Sequence, residues 1–323
     1  MGLLINGVWH DRGYDTKEGE FVRESPGFRN WVAEGADQPF QPAAGRYHLY
    51  VSLACPWAHR TLILRRLKGL EDVIGLSIVD PYMGENGWWF SKARGTIPDT
   101  LYGLNYLYEL YQKAAPGYTG RVTTPTLWDT AHETIVSNES ADIVRMFNSA
   151  FDAFAGHPER DYYPAALAES IDDVNARVYD DVNNGVYKAG FATTQSAYEK
   201  AFMQLFETLD WLDDRLAGQR YVTGARLTEA DWRLFVTLVR FDAVYHGHFK
   251  CNRRRIVDYP HLSGYLRELY QVPGVAETVD IAHIKQHYYR SHQSVNPTGV
   301  VPLGPVLDFE AEPGRSHLRC ADD

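Results

Sequence analysis

Tyr47-His-Leu-Tyr-Val-Ser-Leu53-Ala-Cys55-Pro56 is the stretch that decides the fold. Tyr47, Leu49, Val51 and Leu53 alternate with the residues of the other face, which is the period-2 pattern of a strand. Pro56 suits the first position of a helix, and Ile63, Leu64, Leu67 and Leu70 then recur at helical spacing. A strand therefore turns into a helix at Cys55.

Downstream, Val73 to Val79 reads as a second strand, followed by a Gly-, Pro- and Trp-rich loop over 80–100 that contains Gly87-Trp88-Trp89-Phe90. A helix is expected over roughly Leu101 to Lys113. Thr126-Leu-Trp128 and Thr134-Ile-Val136, separated by Asp129-Thr-Ala-His-Glu133, read as a hairpin. Ser137-Asn-Glu139-Ser140 then opens a helix through Phe147. The order β-α-β, α, β-β-α predicts an α/β layer with one crossover unit and one hairpin. Upstream, residues 1–44 are rich in turn formers and charges and read as an irregular N-terminal extension.

Character changes near residue 150. From Ala165 onward the periods are helical, with Phe202, Leu205, Phe206, Leu209, Leu212 and Leu216 on one apolar stripe. Thr228-Glu-Ala-Asp231 is a variant capping box, and Pro260 and Pro273 mark further helix starts. The Pro- and Gly-rich end is expected to trail over the surface. The expected division is an extension over 1–44, an α/β domain over 45–150, an all-α domain over 160–290 and a C-terminal extension over 291–323.

Composition agrees with two globular domains. The chain has 323 residues, 45% hydrophobic and 23% charged, and domains average about 150 residues. A net charge of −10 speaks against a broad nucleic-acid-binding face, and Arg253-Arg254-Arg255 reads as a solvated run. Cys55, Cys251 and Cys320 are too few for a disulfide framework and fit a reducing, cytoplasmic setting. The first residues lack the pattern of a signal peptide, and no apolar run approaches the roughly 20 residues that cross a bilayer.

The chemistry centres on Cys55. Unpaired amide N–H groups and the positive end of the helix dipole favour a thiolate there, the nucleophilic form. Most lone cysteines are small buried apolar residues, and that reading suits Cys251 and Cys320; position favours function for Cys55. Ala58 stands where a second cysteine of a Cys-x-x-Cys pair would be, so a resolving thiol must come from solution. His59, one turn on, reads as a surface polar contact or a tuning group. Thr124-Pro125 enters a strand, where a cis bond would turn the Thr124 backbone outward to pair with an extended peptide. Glu139 and Ser140 stand at a helix start, serving as caps or as receivers of an ammonium and a carboxylate.

Together these elements resemble the glutathione transferase fold: a thioredoxin-like α/β N-terminal domain followed by an all-α C-terminal domain. Longer strings are narrower. Leu49-Tyr-Val-Ser-Leu-Ala-Cys55-Pro-Trp-Ala-His-Arg-Thr61, Arg121-Val-Thr-Thr-Pro-Thr-Leu-Trp-Asp129, Ile135-Val-Ser-Asn-Glu-Ser140 and Asn183-Asn-Gly-Val-Tyr-Lys-Ala-Gly-Phe191 look like the glutathionyl-hydroquinone reductases, the Xi class of that superfamily. The resemblance implies that Cys55 is the catalytic cysteine. It implies that Trp88, Arg121, the Thr124 backbone, Glu139 and Ser140 hold glutathione, and that Tyr187 and Tyr288 hold the hydroquinone hydroxyls. It also implies a homodimer. One departure is visible: many relatives have Val-Pro-Val where this chain has Thr124-Pro125-Thr126.

The residue chemistry fits these roles, since glutathione carries two carboxylates and one ammonium and needs separated charge partners. The expected reaction removes glutathione from a glutathionyl-hydroquinone, giving free hydroquinone and glutathione disulfide through a mixed disulfide on Cys55. An omega-type thiol transferase or dehydroascorbate reductase on the same cysteine is the alternative. A non-catalytic binding module is a second, and the retained Cys55, Arg121, Glu139 and Ser140 weigh against it. His246-Gly-His248 with Cys251, and His283 with His287, have spacings that could bind zinc, but neither fixes a third ligand, so no metal is expected.

Overall fold

A computed structural model describes residues 2–35 and 37–320. In chain order the strands are β1 (Leu3–Ile5), β2 (Val8–His10), β3 (Thr16–Lys17), β4 (Glu20–Phe21) and β5 (Tyr47–Val51). They continue with β6 (Ile74–Ile78), β7 (Gly120–Arg121), β8 (Thr126–Asp129) and β9 (Thr134–Ser137). The helices are α1 (Pro56–Leu67), α2 (Leu107–Ala114), α3 (Ser140–Arg145), α4 (Ala168–Val178) and α5 (Gly185–Gly190). The last four are α6 (Gln195–Gly218), α7 (Glu229–Arg240), α8 (Leu262–Tyr270) and α9 (Ile281–Ser291). The chain divides into two compact units, one made of residues up to 14, 23–161 and 278–291, the other of 15–22, 162–277 and the segment from 292 on.

The first unit is organised on the sheet β6-β5-β8-β9. β5 runs parallel to β6 and antiparallel to β8, with Leu49 opposite both Leu76 and Leu127. All five residues of β5 are buried, as a central strand covered on both faces requires. Lys68 caps the C-terminus of α1, and its ammonium is wholly enclosed and paired with Asp152 at 2.8 Å and with the Arg160 carbonyl at 2.8 Å. Gly69 follows at φ +63°, and a Cβ there would meet Gly156 Cα at 3.0 Å, so the turn needs glycine. Tyr50, Trp88, Leu110, Tyr111, Trp128 and Ile135 share one hydrophobic cluster.

Three local expectations change. The N-terminal residues are not irregular throughout: β1 pairs with β2 across Asn6-Gly7, both at positive φ, and with β7, so that Leu3 faces Arg121. α2 begins at Leu107 rather than near Leu101. The buried Asp99 carboxylate accepts from the backbone N–H of Leu101, Tyr102 and Leu104 at 3.0–3.1 Å and holds that segment as a loop. Glu109 then accepts from the N–H of Asn105 and Tyr106, both at 2.8 Å, and starts the helix. α3 continues into a π-helical turn over Met146–Ala150.

The second unit is carried by α4 to α8, with the β3–β4 pair beside them. Leu205, Phe206, Leu209, Leu212 and Leu216 bury the apolar stripe of α6. The C-terminal segment is pinned where trailing was expected. The enclosed Arg315 guanidinium pairs with Glu268 at 3.0 Å and donates to the Gln219 and Arg220 carbonyls at 3.0 and 2.7 Å. Among the described residues no helix is long and apolar enough to cross a membrane.

Candidate active site

The first unit brings together Cys55, Trp88, Arg121, Thr124, Glu139, Ser140 and Tyr288; Tyr187 belongs to the second. Cys55 is the N-cap residue of α1, extended at φ −73° and ψ 118°, and its side chain caps no helix amide. No acidic residue lies in the first turn of α1, so the dipole at that end is not offset by a carboxylate. The half-buried thiol donates instead to the Thr124 carbonyl, 3.4 Å away. Thr124-Pro125 is cis.

Glu139 is the N-cap of α3. Its Oε1 accepts from the Ala141 N–H at 2.9 Å and from the Ser140 hydroxyl at 3.3 Å. Ser140 is buried and its oxygen lies 3.4 Å from the Arg60 guanidinium. Arg60, itself enclosed, sits over the Trp57 ring at 4.6 Å, while Arg23 of the arm lies 4.7 Å from the same ring. Sequence reasoning missed Arg60, although the signal was present: residues 56, 60, 63, 64 and 67 mark one inward helix face.

Arg121, expected to bind a glutathione carboxylate, faces the N-terminal arm. Its Nε donates to Glu24 at 3.0 Å, its Nη1 to the Arg12 carbonyl and its Nη2 to the Gly13 carbonyl at 2.7 Å. The same guanidinium covers the Tyr14 ring at 4.7 Å. This forked, planar donor set is engaged with the N-terminal arm. Trp88 is part of the unit's hydrophobic cluster and stacks on His287 of α9 at 4.9 Å. Tyr288 follows on α9, almost wholly enclosed. His59 is buried rather than superficial, with Nε2 2.8 Å from the Thr278 hydroxyl just before α9. In the second unit, Tyr187 packs among Phe21, Phe191, Tyr245 and Phe249, with ring centres 5.5–6.3 Å away.

The other cysteines differ. Cys251 is fully enclosed and burial pushes its thiol up, away from the reactive thiolate. Cys320 is exposed. Among the described residues no group of three or more His, Cys, Asp or Glu side chains is placed to hold a metal ion.

A thioredoxin-like sheet with a cysteine at its first helix start, followed by a helical unit, defines a glutathione transferase. The family model for the glutathione S-transferase N-terminal domain matches residues 54–150, and that for the C-terminal domain matches 195–268. Glutathionyl-hydroquinone reductase YqjG of Escherichia coli (strain K12) is 57% identical, with 98% of each chain covered. Glutathionyl-hydroquinone reductase PcpF of Sphingobium chlorophenolicum is also 57% identical, over 95% of this chain and 97% of that one. A Xi-class glutathione transferase from Natrialba magadii superposes with a TM-score of 0.93 at 51% identity, covering 99% and 98% of the two chains. The glutathione-bound YqjG structure gives 0.89 at 53%, covering 97% and 99%. The chain belongs to the glutathionyl-hydroquinone reductases, the Xi class of the glutathione S-transferase family.

Proposed function

We propose that the protein removes glutathione from glutathionyl-hydroquinones at the expense of a second glutathione. The observation that carries this reading is Cys55 at an otherwise uncapped helix start, half-buried, with its sulfur against the Thr124 carbonyl. The Cys55 thiolate attacks the sulfur that joins glutathione to the ring. The ring carbon–sulfur bond breaks, its electron pair stays on carbon, and that carbon takes a proton. The ring is reduced by two electrons while Cys55 and the departing glutathionyl sulfur form a mixed disulfide. A second glutathione thiolate attacks that disulfide, releasing glutathione disulfide and the Cys55 thiolate.

Glu139 receives the γ-glutamyl ammonium, and the amides at the start of α3, with Ser140, take its carboxylate. The Thr124 backbone pairs with the cysteinyl part and Trp88 packs on the tripeptide. Arg121, at the N-terminal arm, binds a carboxylate of glutathione. Tyr187 and Tyr288 donate to the ring hydroxyls of the diol. The division into 1–44, 45–150, 160–290 and 291–323 remains our reading of the domains, with the first segment closing on the glutathione-binding unit through Arg121. A reducing, cytoplasmic setting suits an enzyme whose Cys55, Cys251 and Cys320 are free thiols and whose reductant is a thiol.

The deciding experiment incubates the pure protein with glutathionyl-menadiol and glutathione, then repeats this with Cys55→Ala. Release of the free diol by the parent alone is expected; equal release by both rejects the proposal. An omega-type thiol transferase or dehydroascorbate reductase acting through the same Cys55 is the alternative reading. Faster turnover of a generic mixed disulfide than of the diol adduct selects it. We also read the protein as a homodimer, as its resemblance to the Xi class implies. Light scattering of the pure protein should give twice the 36.8 kDa chain mass, and a single-chain mass removes that reading.

A further inference from the structure

We propose that the Thr124 hydroxyl is a positioning group for the Cys55 thiolate. In the thiol state the Cys55 sulfur donates to the Thr124 carbonyl at 3.4 Å. Once its proton passes to water, the sulfur can only accept, and a carbonyl oxygen repels it. The anion then needs a donor where it previously needed an acceptor.

The same residue carries one. Thr124 is 5% exposed, and its Oγ1 is buried with no hydrogen-bond partner among the described residues. A buried hydroxyl left unmade is costly, and such groups are rare enough in native proteins to call for an explanation. Valine has nearly the same shape and fills the same space without that cost, so packing alone gives no reason for the hydroxyl. A hydrogen bond from a neutral donor to an anion is roughly twice as strong as one between neutral groups. Threonine has few staggered side-chain positions, and one rotation about Cα–Cβ redirects Oγ1 while the backbone stays fixed.

The two states of Cys55 thus use two atoms of one neighbour: the carbonyl for the thiol and the hydroxyl for the thiolate. No electrons move in this exchange, and the only atom transferred is the thiol proton, which goes to solvent. The inference rests on the reading of Cys55 as the attacking sulfur.

The test compares parent, Thr124→Val and Thr124→Ser for the rate of alkylation by iodoacetamide across pH, read at residue 55 by peptide mass. On the rising limb of the parent's profile, Thr124→Val should react about tenfold more slowly, a displacement of about one pH unit. Thr124→Ser should follow the parent. At a pH below the rising limb, where Cys55 is a thiol, Thr124→Val should melt no lower than the parent, since the hydroxyl has no partner in that state. An unmoved profile in Thr124→Val overturns the proposal. So does a displaced profile shared by Val and Ser, which would follow side-chain shape, or a lower melting temperature in Thr124→Val at that low pH, which would reveal a structural partner of the hydroxyl in the thiol state. Alkylation needs no substrate. Diol release by Cys55→Ala would therefore sink the proposed reaction while the alkylation comparison still stands or falls by itself.

Discussion

At the start of α7 four donors converge on one carboxylate, whereas at the start of α1 the capping position holds a cysteine whose side chain caps nothing. Asp231 Oδ1 accepts from the Val222 N–H at 2.9 Å and the Tyr265 hydroxyl at 2.8 Å. Its Oδ2 accepts from the Thr228 N–H at 2.8 Å and the Thr228 hydroxyl at 3.1 Å. That helix start is closed: its charge and donors are used within the fold. At α1 the helix amides keep their pull on an anion, and the residue placed there is one that becomes an anion. Both starts obey the same dipole physics. They differ in whether the negative partner is built in or supplied by the reaction.

Cys55→Ser is the strongest way to sharpen this contrast. Serine is a preferred N-cap, so the variant should hold or gain up to about 1 kcal/mol in stability. Its diol release should fall by roughly a thousandfold or more, the scale of losing a nucleophile. A variant that melts clearly below the parent would break the comparison, because the start of α1 would then depend on the thiol for its stability.

Asp231→Ala attacks the other end. It leaves four buried donors facing an apolar methyl, so it should cost about 3 kcal/mol or more by denaturant titration. Activity per folded molecule should stay unchanged. The pH dependence carries a sign. Burial pushes the Asp231 carboxyl up to about 6 from an ordinary 3.8, against hydrogen bonds that pull it down. Between those values the folded protein holds a proton that the unfolded chain has lost, so stability from this group falls as pH rises from about 4 to 6. The stability gap between parent and Asp231→Ala should therefore be wider at pH 4 than at pH 7. A gap that narrows on acidification would mean that the four donors outweigh burial.

What the amino-acid sequence reveals here follows the range of the interactions involved. β5, the turn at Cys55, α1 and the hairpin of β8 and β9 are local patterns of period 2 or 3.6 closed by Pro or turn residues, and they stand in the structure where those patterns put them. Asp231 was visible as a cap for the same reason. The loop before α2 was not, because Asp99 overrides helix propensity through three backbone donors that no periodicity records. The pairing of β1 with β7 joins segments of two or three residues across more than a hundred positions, too short to give a period. Arg121 illustrates the consequence at the site. Its position after Gly120 is legible, but its partners are carbonyls at Arg12 and Gly13, which only the folded arm supplies. Thr124 beside Cys55 is likewise a product of tertiary structure.

Glu139 lies between the two designs. Like Asp231 it is an acid at a helix start, and like Cys55 it is only partly enclosed. Its Oε1 accepts from the Ala141 N–H and the Ser140 hydroxyl, contacts that a glutamine oxygen can also make. Charge separates the two roles. Glu139→Gln keeps an acceptor for the helix, so stability should move by no more than about 0.5 kcal/mol. It removes the negative partner of the glutathione ammonium, and a hydrogen bond to a charged group contributes about 1.5–3 kcal/mol. KM for glutathione should therefore rise by about tenfold or more while kcat changes little. A fall in melting temperature with KM unchanged would make Glu139 a second Asp231, closed on its own helix. The γ-glutamyl end would then have to be held by some other group.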